Sequence, residues 1–278
     1  MIEGWQGIAL NTAPNSRNEI HGDEMAQQYG FKGGLVPGVT LSAYLVQPAI
    51  SAWGLEWLNR GRAHVRINRP VYDGETFDVD VTTSDQSYDA VLRRLDGTLS
   101  GHAEVSLSEY SDPAPVRRGD LIAPPDYMGD VASPERFAEL KADGCHAFRY
   151  TWQANDSYLS DMSHVPSLLN EEGYAHMSFL LGIANWIFAA NAHMNPWVHL
   201  ETTSRNHRAV RKGTVIIAEM SVVGTFEKKG HMFADIHVNL FDEANDEALC
   251  SIDQRAIYRL RGMTAPAHPS SADATNND

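Results

Sequence analysis

The chain has 278 residues, of which 43% are apolar and 21% charged, with a formal net charge of −14 at pH 7. That is a globular composition for one large domain or two smaller ones, and its acidity argues against a nucleic-acid partner or an anionic membrane surface. Two cysteines, Cys145 and Cys250, are too few for a disulfide framework or a structural zinc site, and read as buried free thiols.

The opening MIEGWQGIALN has neither a charged n-region nor an apolar h-region, so no signal peptide is expected. The longest apolar run, SFLLGIANWIFAANA, falls short of a membrane span. A reducing cytoplasm and no membrane partner are the expectation. No His, Cys, Asp or Glu spacing resembles a metal site, and no cofactor is implied.

A short polar helix is predicted from about Asp23, with Asp23 as its N-cap and Glu24 adding charge to the first turn. The turn that follows is rich in glycine. Pro37-Gly38 then opens an apolar helix from about 39 to 53, where the first free N–H groups are placed to stabilise an oxyanion or a carbonyl oxygen. His21, just upstream, faces the same spot in this reading. Tyr44 and Trp53 share one apolar helix face, which reads as core packing, with Tyr44 also a candidate wall of the substrate site. GLEWLNRG turns the chain into strands. AHVRINRPVYDGE, TFDVDVTTSDQ, AVLRRLDG and TLSGHAEVSLSEY alternate like an antiparallel meander. Residues 111–144 read as a linker in which only PERFAELK looks helical.

The plan then repeats. NDSYLSDM is a short helix candidate, EEGYAHMSFLLGIANWIFAAN a long apolar helix, and four strand-like stretches follow. Gly38 and Gly173, like His64 and His199, are 135 positions apart, so the halves read as two copies of one helix-plus-sheet unit. The predicted division is residues 1–110, a linker at 111–144, residues 145–262, and a disordered tail at 263–278.

His21-x-Asp23-x-x-Ala26-x-x-x-Gly30-Phe31 followed by Gly34-Leu35-Val36-Pro37-Gly38, and the later NRPVYDGE, resemble the hydratase motif of the MaoC-like proteins. The resemblance covers residues 18 to 80 and is faint in the second half. It implies an α+β fold of the double-hotdog form, two tandem units each with a long central helix wrapped by a curved antiparallel sheet. It also implies hydration or dehydration of an enoyl thioester, usually of coenzyme A. The family His falls on His21 and the Gly that donates its N–H on Gly38. The family Asp falls on Ser16, and the family's His-Gly pair at the helix start is Pro37-Gly38 here. A hydroxyl is no carboxylate base near neutral pH, so that dyad is broken.

Replacement carboxylates are Asp23 and Asp156, each also readable as a helix cap, and the loop pair Asp161 and His164. Ser16, Asn18, Pro37 and His199 are further candidates for contact with substrate. His64 and His199 read as strand histidines that face solvent or line the cleft, and His176 as a first-turn residue of the second helix. Arg205, His207, Arg208, Arg211 and Lys212, with Arg60, Arg62, Arg66 and Arg69 in the matching region, offer a phosphate patch or simply a charged strand edge. Trp53, Trp57, Trp186 and Trp197 point to a sizeable apolar pocket. Three functions fit: a hydro-lyase on an α,β-unsaturated acyl thioester, which leads; a thioesterase on the same scaffold; and a non-catalytic acyl-binding protein. A homodimer is compatible with each.

Overall fold

The computed structural model describes residues 2–109, 113–124, 126–153 and 165–263. The chain begins with an edge strand, β1 (Trp5–Ile8), a 3-10 turn (Glu19–His21) and a short helix α1 (Asp23–Gln28). Helices α2 (Gly38–Trp53) and α3 (Leu55–Arg60) lead into strands β2 (Gly61–Ile67), β3 (Thr76–Thr83), β4 (Ser87–Arg94) and β5 (Leu99–Leu107). After α4 (Pro134–Asp143) come β6 (Phe148–Thr151), α5 (Ser167–Asn170) and the second long helix, α6 (Met177–Asn191). Strands β7 (Val198–Asn206), β8 (Val215–Lys228), β9 (His231–Asp242) and β10 (Ala248–Arg259) complete the fold.

All ten strands form one antiparallel sheet, in the order β1-β3-β4-β5-β2-β7-β10-β9-β8-β6. The order reads the same from either edge once each strand is matched to its counterpart, with β2 and β7 meeting at the centre through pairs such as His64 with Thr203. The turns repeat as well. The bridge of Leu35 to Tyr72 is matched by Tyr174 to Arg211, and the Val36 N–H bond to Val71 by Ala175 to Val210. These pairs are 139 positions apart, not 135. The difference is about one helical turn, and it corrects two equivalences. Gly173 does not open the second helix, because α6 starts at Met177 behind an N-cap at His176. His64 and His199 are not counterparts either. His64 lies on the outer face of the sheet, 2.7 Å from Glu201, whereas His199 is buried beneath the helices.

Helix α2 is buried on nearly every side from Val39 to Ile50, which is why its sequence lacks a clean polar stripe. Pro48 sits inside it and cannot donate to the Tyr44 carbonyl. The Trp5 indole N–H takes that place at 3.2 Å. One residue on, the Tyr88 hydroxyl accepts from the Ala49 N–H and donates to the Leu45 carbonyl at 3.0 Å. Strands β1 and β4 thus repair the helix that they cover.

The linker crosses the outer face of the second half and is stapled there by a buried carboxylate. Glu219 on β8 is 1% exposed and accepts from the N–H groups of Arg118, Gly119 and Asp120 at 2.7–3.0 Å. The guanidinium groups of Arg117 and Arg118 lie within 4 Å of it. Both cysteines are buried, and burial pushes their thiols up, to about 11 for Cys145 and about 12 for Cys250. Among the described residues no helix is long and apolar enough to cross a membrane.

Candidate active site

The 3-10 turn before α1 carries His21 to the N-terminus of α2. Its main chain is held tightly: the His21 carbonyl accepts from Asn11 Nδ2 at 2.8 Å, and a Cβ on Gly34 would lie 2.1 Å from the same oxygen. Gly34 is therefore required for this close approach. The neighbouring carboxylate, Asp23, accepts from the Gly34 N–H at 2.8 Å. Asp23 is the first residue of α1 and Gly22 its N-cap, so the expected Asp23 cap is corrected: the side chain turns back to pin the glycine turn instead.

The His21 ring is set by its surroundings. Nδ1 lies 2.7 Å from the Leu35 carbonyl, an atom that only accepts, so Nδ1 carries the hydrogen and Nε2 keeps its lone pair. Burial lowers the pKa of the ring, and the bond to Leu35 opposes this in part. The neutral, basic form is thus favoured at neutral pH. Asn18 Nδ2 is 3.5 Å from Nε2. The Asn18 side chain is in turn fixed by the second half, donating to the Trp197 carbonyl and accepting from the Trp197 N–H, each at 3.0 Å. Glu19 N–H donates to Asn195 Oδ1 at 2.9 Å, so the whole turn is clasped by the loop before β7.

Opposite this turn, α2 begins at Gly38 behind Pro37. Thr40 and Leu41 donate to the Pro37 carbonyl, while the N–H groups of Gly38 and Val39 have no partner among the described residues. They form an oxyanion-type donor pair at the positive end of a sixteen-residue helix. His199 reaches this spot from β7. A Cβ on Gly38 would lie 2.9 Å from its Cδ2 and 3.1 Å from its Cγ, so only glycine fits there. His199 Nδ1 faces Asn185 Oδ1 of α6 at 3.2 Å and therefore donates, leaving Nε2 to accept from the Thr202 hydroxyl at 2.5 Å. Burial, with electrostatic opposition from His21, lowers His199 to about 4, so it is neutral.

The structure thus brings together His21, Asn18, Pro37, Gly38 and His199. Ser16 lies close by, its hydroxyl donating to the Asn18 carbonyl at 3.1 Å. Other candidates lie elsewhere. Tyr44 is fully buried, stacked on Phe77, and its hydroxyl accepts from the Leu10 N–H; it is core, and burial raises it to about 12. Arg205 is six residues along β7 from His199, about 20 Å at strand rise, and donates to the Pro113 carbonyl. Arg208 is ion-paired with Glu247 and Asp242. Among the described residues the four tryptophans have separate aromatic neighbours: Trp53 lies by Tyr88, Trp57 is buried, Trp186 packs on Tyr150 and Phe179, and Trp197 meets Phe188. Asp156, Asp161 and His164 fall outside the described residues. Among the described residues no carboxylate is hydrogen-bonded to His21 or His199.

Sequence reasoning missed Asn185, Thr202 and the Trp197 main chain. Asn185 had a signal: it is a polar residue in the middle of the apolar run GIANWIF.

The architecture recurs in solved structures. A protein described as a MaoC domain dehydratase from Chloroflexus aurantiacus aligns with a TM-score of 0.56 and 11% identity, over 94% of this chain and 97% of its own. A conserved protein with a hot dog fold from Alicyclobacillus acidocaldarius aligns with a TM-score of 0.52 and 13% identity, over 94% of both chains. The chain has a hotdog fold. The same likeness extends to the dehydratase domain of PpsC from Mycobacterium tuberculosis, solved in complex with C12:1-CoA, with a TM-score of 0.53 and 13% identity over 92% of this chain and 93% of that one. No family model matches the hotdog chain, and no curated protein does.

Proposed function

We propose that the chain is a double-hotdog hydratase or dehydratase of an α,β-unsaturated acyl thioester, with its reaction centre at the N-terminus of α2. The observation that carries this reading is a neutral His21 whose Nε2 keeps its lone pair, with Asn18 Nδ2 at 3.5 Å, held to the Leu35 carbonyl three residues before the unpartnered N–H of Gly38. Hydration then balances with one base. His21 Nε2 takes a proton from water while the hydroxyl oxygen bonds to the β-carbon. The π electrons of the double bond move through the α-carbon onto the thioester oxygen, where the Gly38 N–H stabilises the charge. The proton on His21 then returns to the α-carbon. Asn18 Nδ2, 3.5 Å from Nε2, is placed to donate to the oxygen of a water held at that nitrogen.

The matched strand orders and the turns spaced at 139 support two tandem units joined by a linker at 111–144. The solved neighbour that carries an acyl-CoA supports a thioester of that carrier as substrate. The test is a panel of enoyl-CoA thioesters, followed separately for loss of the conjugated chromophore and for release of free thiol. Chromophore loss without thiol supports the hydratase. Thiol release moves the protein to the thioesterases, and no turnover across the panel contradicts both.

A further inference from the structure

The described residues around Gly38 contain a hydrogen-bonded chain that the reaction sketched above does not use. Asn185 lies in the middle of α6, half-buried and the one polar residue between Ser178 and Asn191 at its two ends, and its Oδ1 accepts from His199 Nδ1. Thr202, fully buried on the same strand as His199, donates to Nε2. Both ring nitrogens are thereby occupied, and the ring has no proton to exchange with a substrate. What the ring does touch is Gly38, with its Cβ, Cγ and Cδ2 all within 3.2 Å of where a Gly38 side chain would begin. A β-bulge around Leu200 moves the register of β7 so that His199 and Thr202, three residues apart, both face the helices.

We infer that Asn185 is a positioning residue: acting through His199, and with Thr202 as the second clamp, it sets where the Gly38 N–H points. This rests on the proposed role of Gly38 for its catalytic consequence, though not for its structural one. The physical reason is that an imidazole held at both nitrogens cannot turn about its ring axis, and a glycine has no side chain of its own to hold its peptide plane. Released from Asn185, the ring pivots on Thr202 and the wall against Gly38 moves. An oxyanion donor that shifts by a fraction of an ångström no longer meets charge developing in the transition state, while substrate still binds. The position is therefore contributed by the second half to a site whose base comes from the first.

Three variants test this: Asn185→Ala removes the acceptor, Asn185→Asp keeps it, and Thr202→Val removes the other clamp without changing shape. Two readouts are taken. The first is the amide signal of Gly38 in a nitrogen-15 spectrum, together with the ring nitrogens of His199. The second is the split of kcat from KM on whichever enoyl thioester the protein turns over. The expected result is a moved Gly38 signal in Asn185→Ala and Thr202→Val, and a signal near that of the parent in Asn185→Asp. kcat should fall about tenfold to a hundredfold in Asn185→Ala, with KM within about twofold, since misplacing a donor costs less than removing one. An unmoved Gly38 signal in both Asn185→Ala and Thr202→Val overturns the inference, as does a loss that appears wholly in KM. If the signal moves as expected but the parent protein turns over no thioester, the positioning stands and the proposed function fails.

Discussion

The two halves of the molecule share strand order, turn spacing and a buried central helix, yet the entrances of those helices differ. Helix α2 begins Pro37-Gly38 and leaves two N–H groups without partners among the described residues. Helix α6 begins His176-Met177, and His176 Nδ1 accepts from the Ser178 N–H at 3.2 Å and lies 2.7 Å from its hydroxyl. The first entrance keeps both N–H groups available at the candidate site; the second gives its Ser178 N–H to the His176 N-cap. The sheet differs in the same sense. The counterpart of His199 in the first half is Arg60, at the end of α3, which pairs with Glu56. The two frames are alike in strand order and turns, and the candidate site lies where residues of both meet.

Filling the entrance of α2 removes the largest difference between the two helix starts. Gly38→Ala places a methyl group against the His199 ring, and turnover should fall about 100-fold or more, with loss of about 1–3 kcal/mol of stability from overpacking. Steady-state kinetics and urea denaturation check both. The outer face offers a second contrast. Glu219 is buried under the linker, whereas Asp80, 139 positions earlier, is exposed and, among the described residues, ion-paired only with Arg93. Glu219→Ala strands three N–H groups and should cost about 3 kcal/mol, while Asp80→Ala should change the denaturation midpoint little.

A pH titration reads out two buried histidines of the second half. Burial lowers both His176 and His199 to about 4, against an ordinary value near 6.5. Below the ordinary value the unfolded chain binds protons that the folded chain excludes, so stability is fully present above about pH 6.5 and is lost as pH falls toward 4. Urea midpoints measured from pH 7 down to pH 4.5 should drop, and His176→Gln should flatten that slope. The smallest effect belongs to the closed entrance. Ser178→Ala removes the hydroxyl that meets His176 and should cost about 1 kcal/mol without changing turnover.

Much of the frame was legible because alternation and glycine turns mark strands strongly. The edge strands Trp5–Ile8 and Phe148–Thr151 were not, since four residues carry too little periodicity to stand out. A repeat register keyed on Gly173 runs four positions short, because Gly173 lies in the turn before α6 and not at its start. At the site, His21 and Gly38 were legible from local spacing, since both lie within one short stretch. The clasp of Asn18 on Trp197 spans 179 positions, and no local pattern encodes it. Arg205 and Arg208 misled because charge clustered in sequence is split by the strand between the outer face and acidic partners.

In the proposed function a neutral His21 near Gly38 moves a proton to or from an enoyl thioester. It is tested most directly by assaying the purified protein and its His21→Ala variant on the same panel of enoyl-CoA thioesters. The account predicts loss of the conjugated chromophore without thiol release, reduced about 100-fold to 10,000-fold in the variant while its fold is retained. Equal rates in the two proteins, or release of free thiol by the parent, would contradict it.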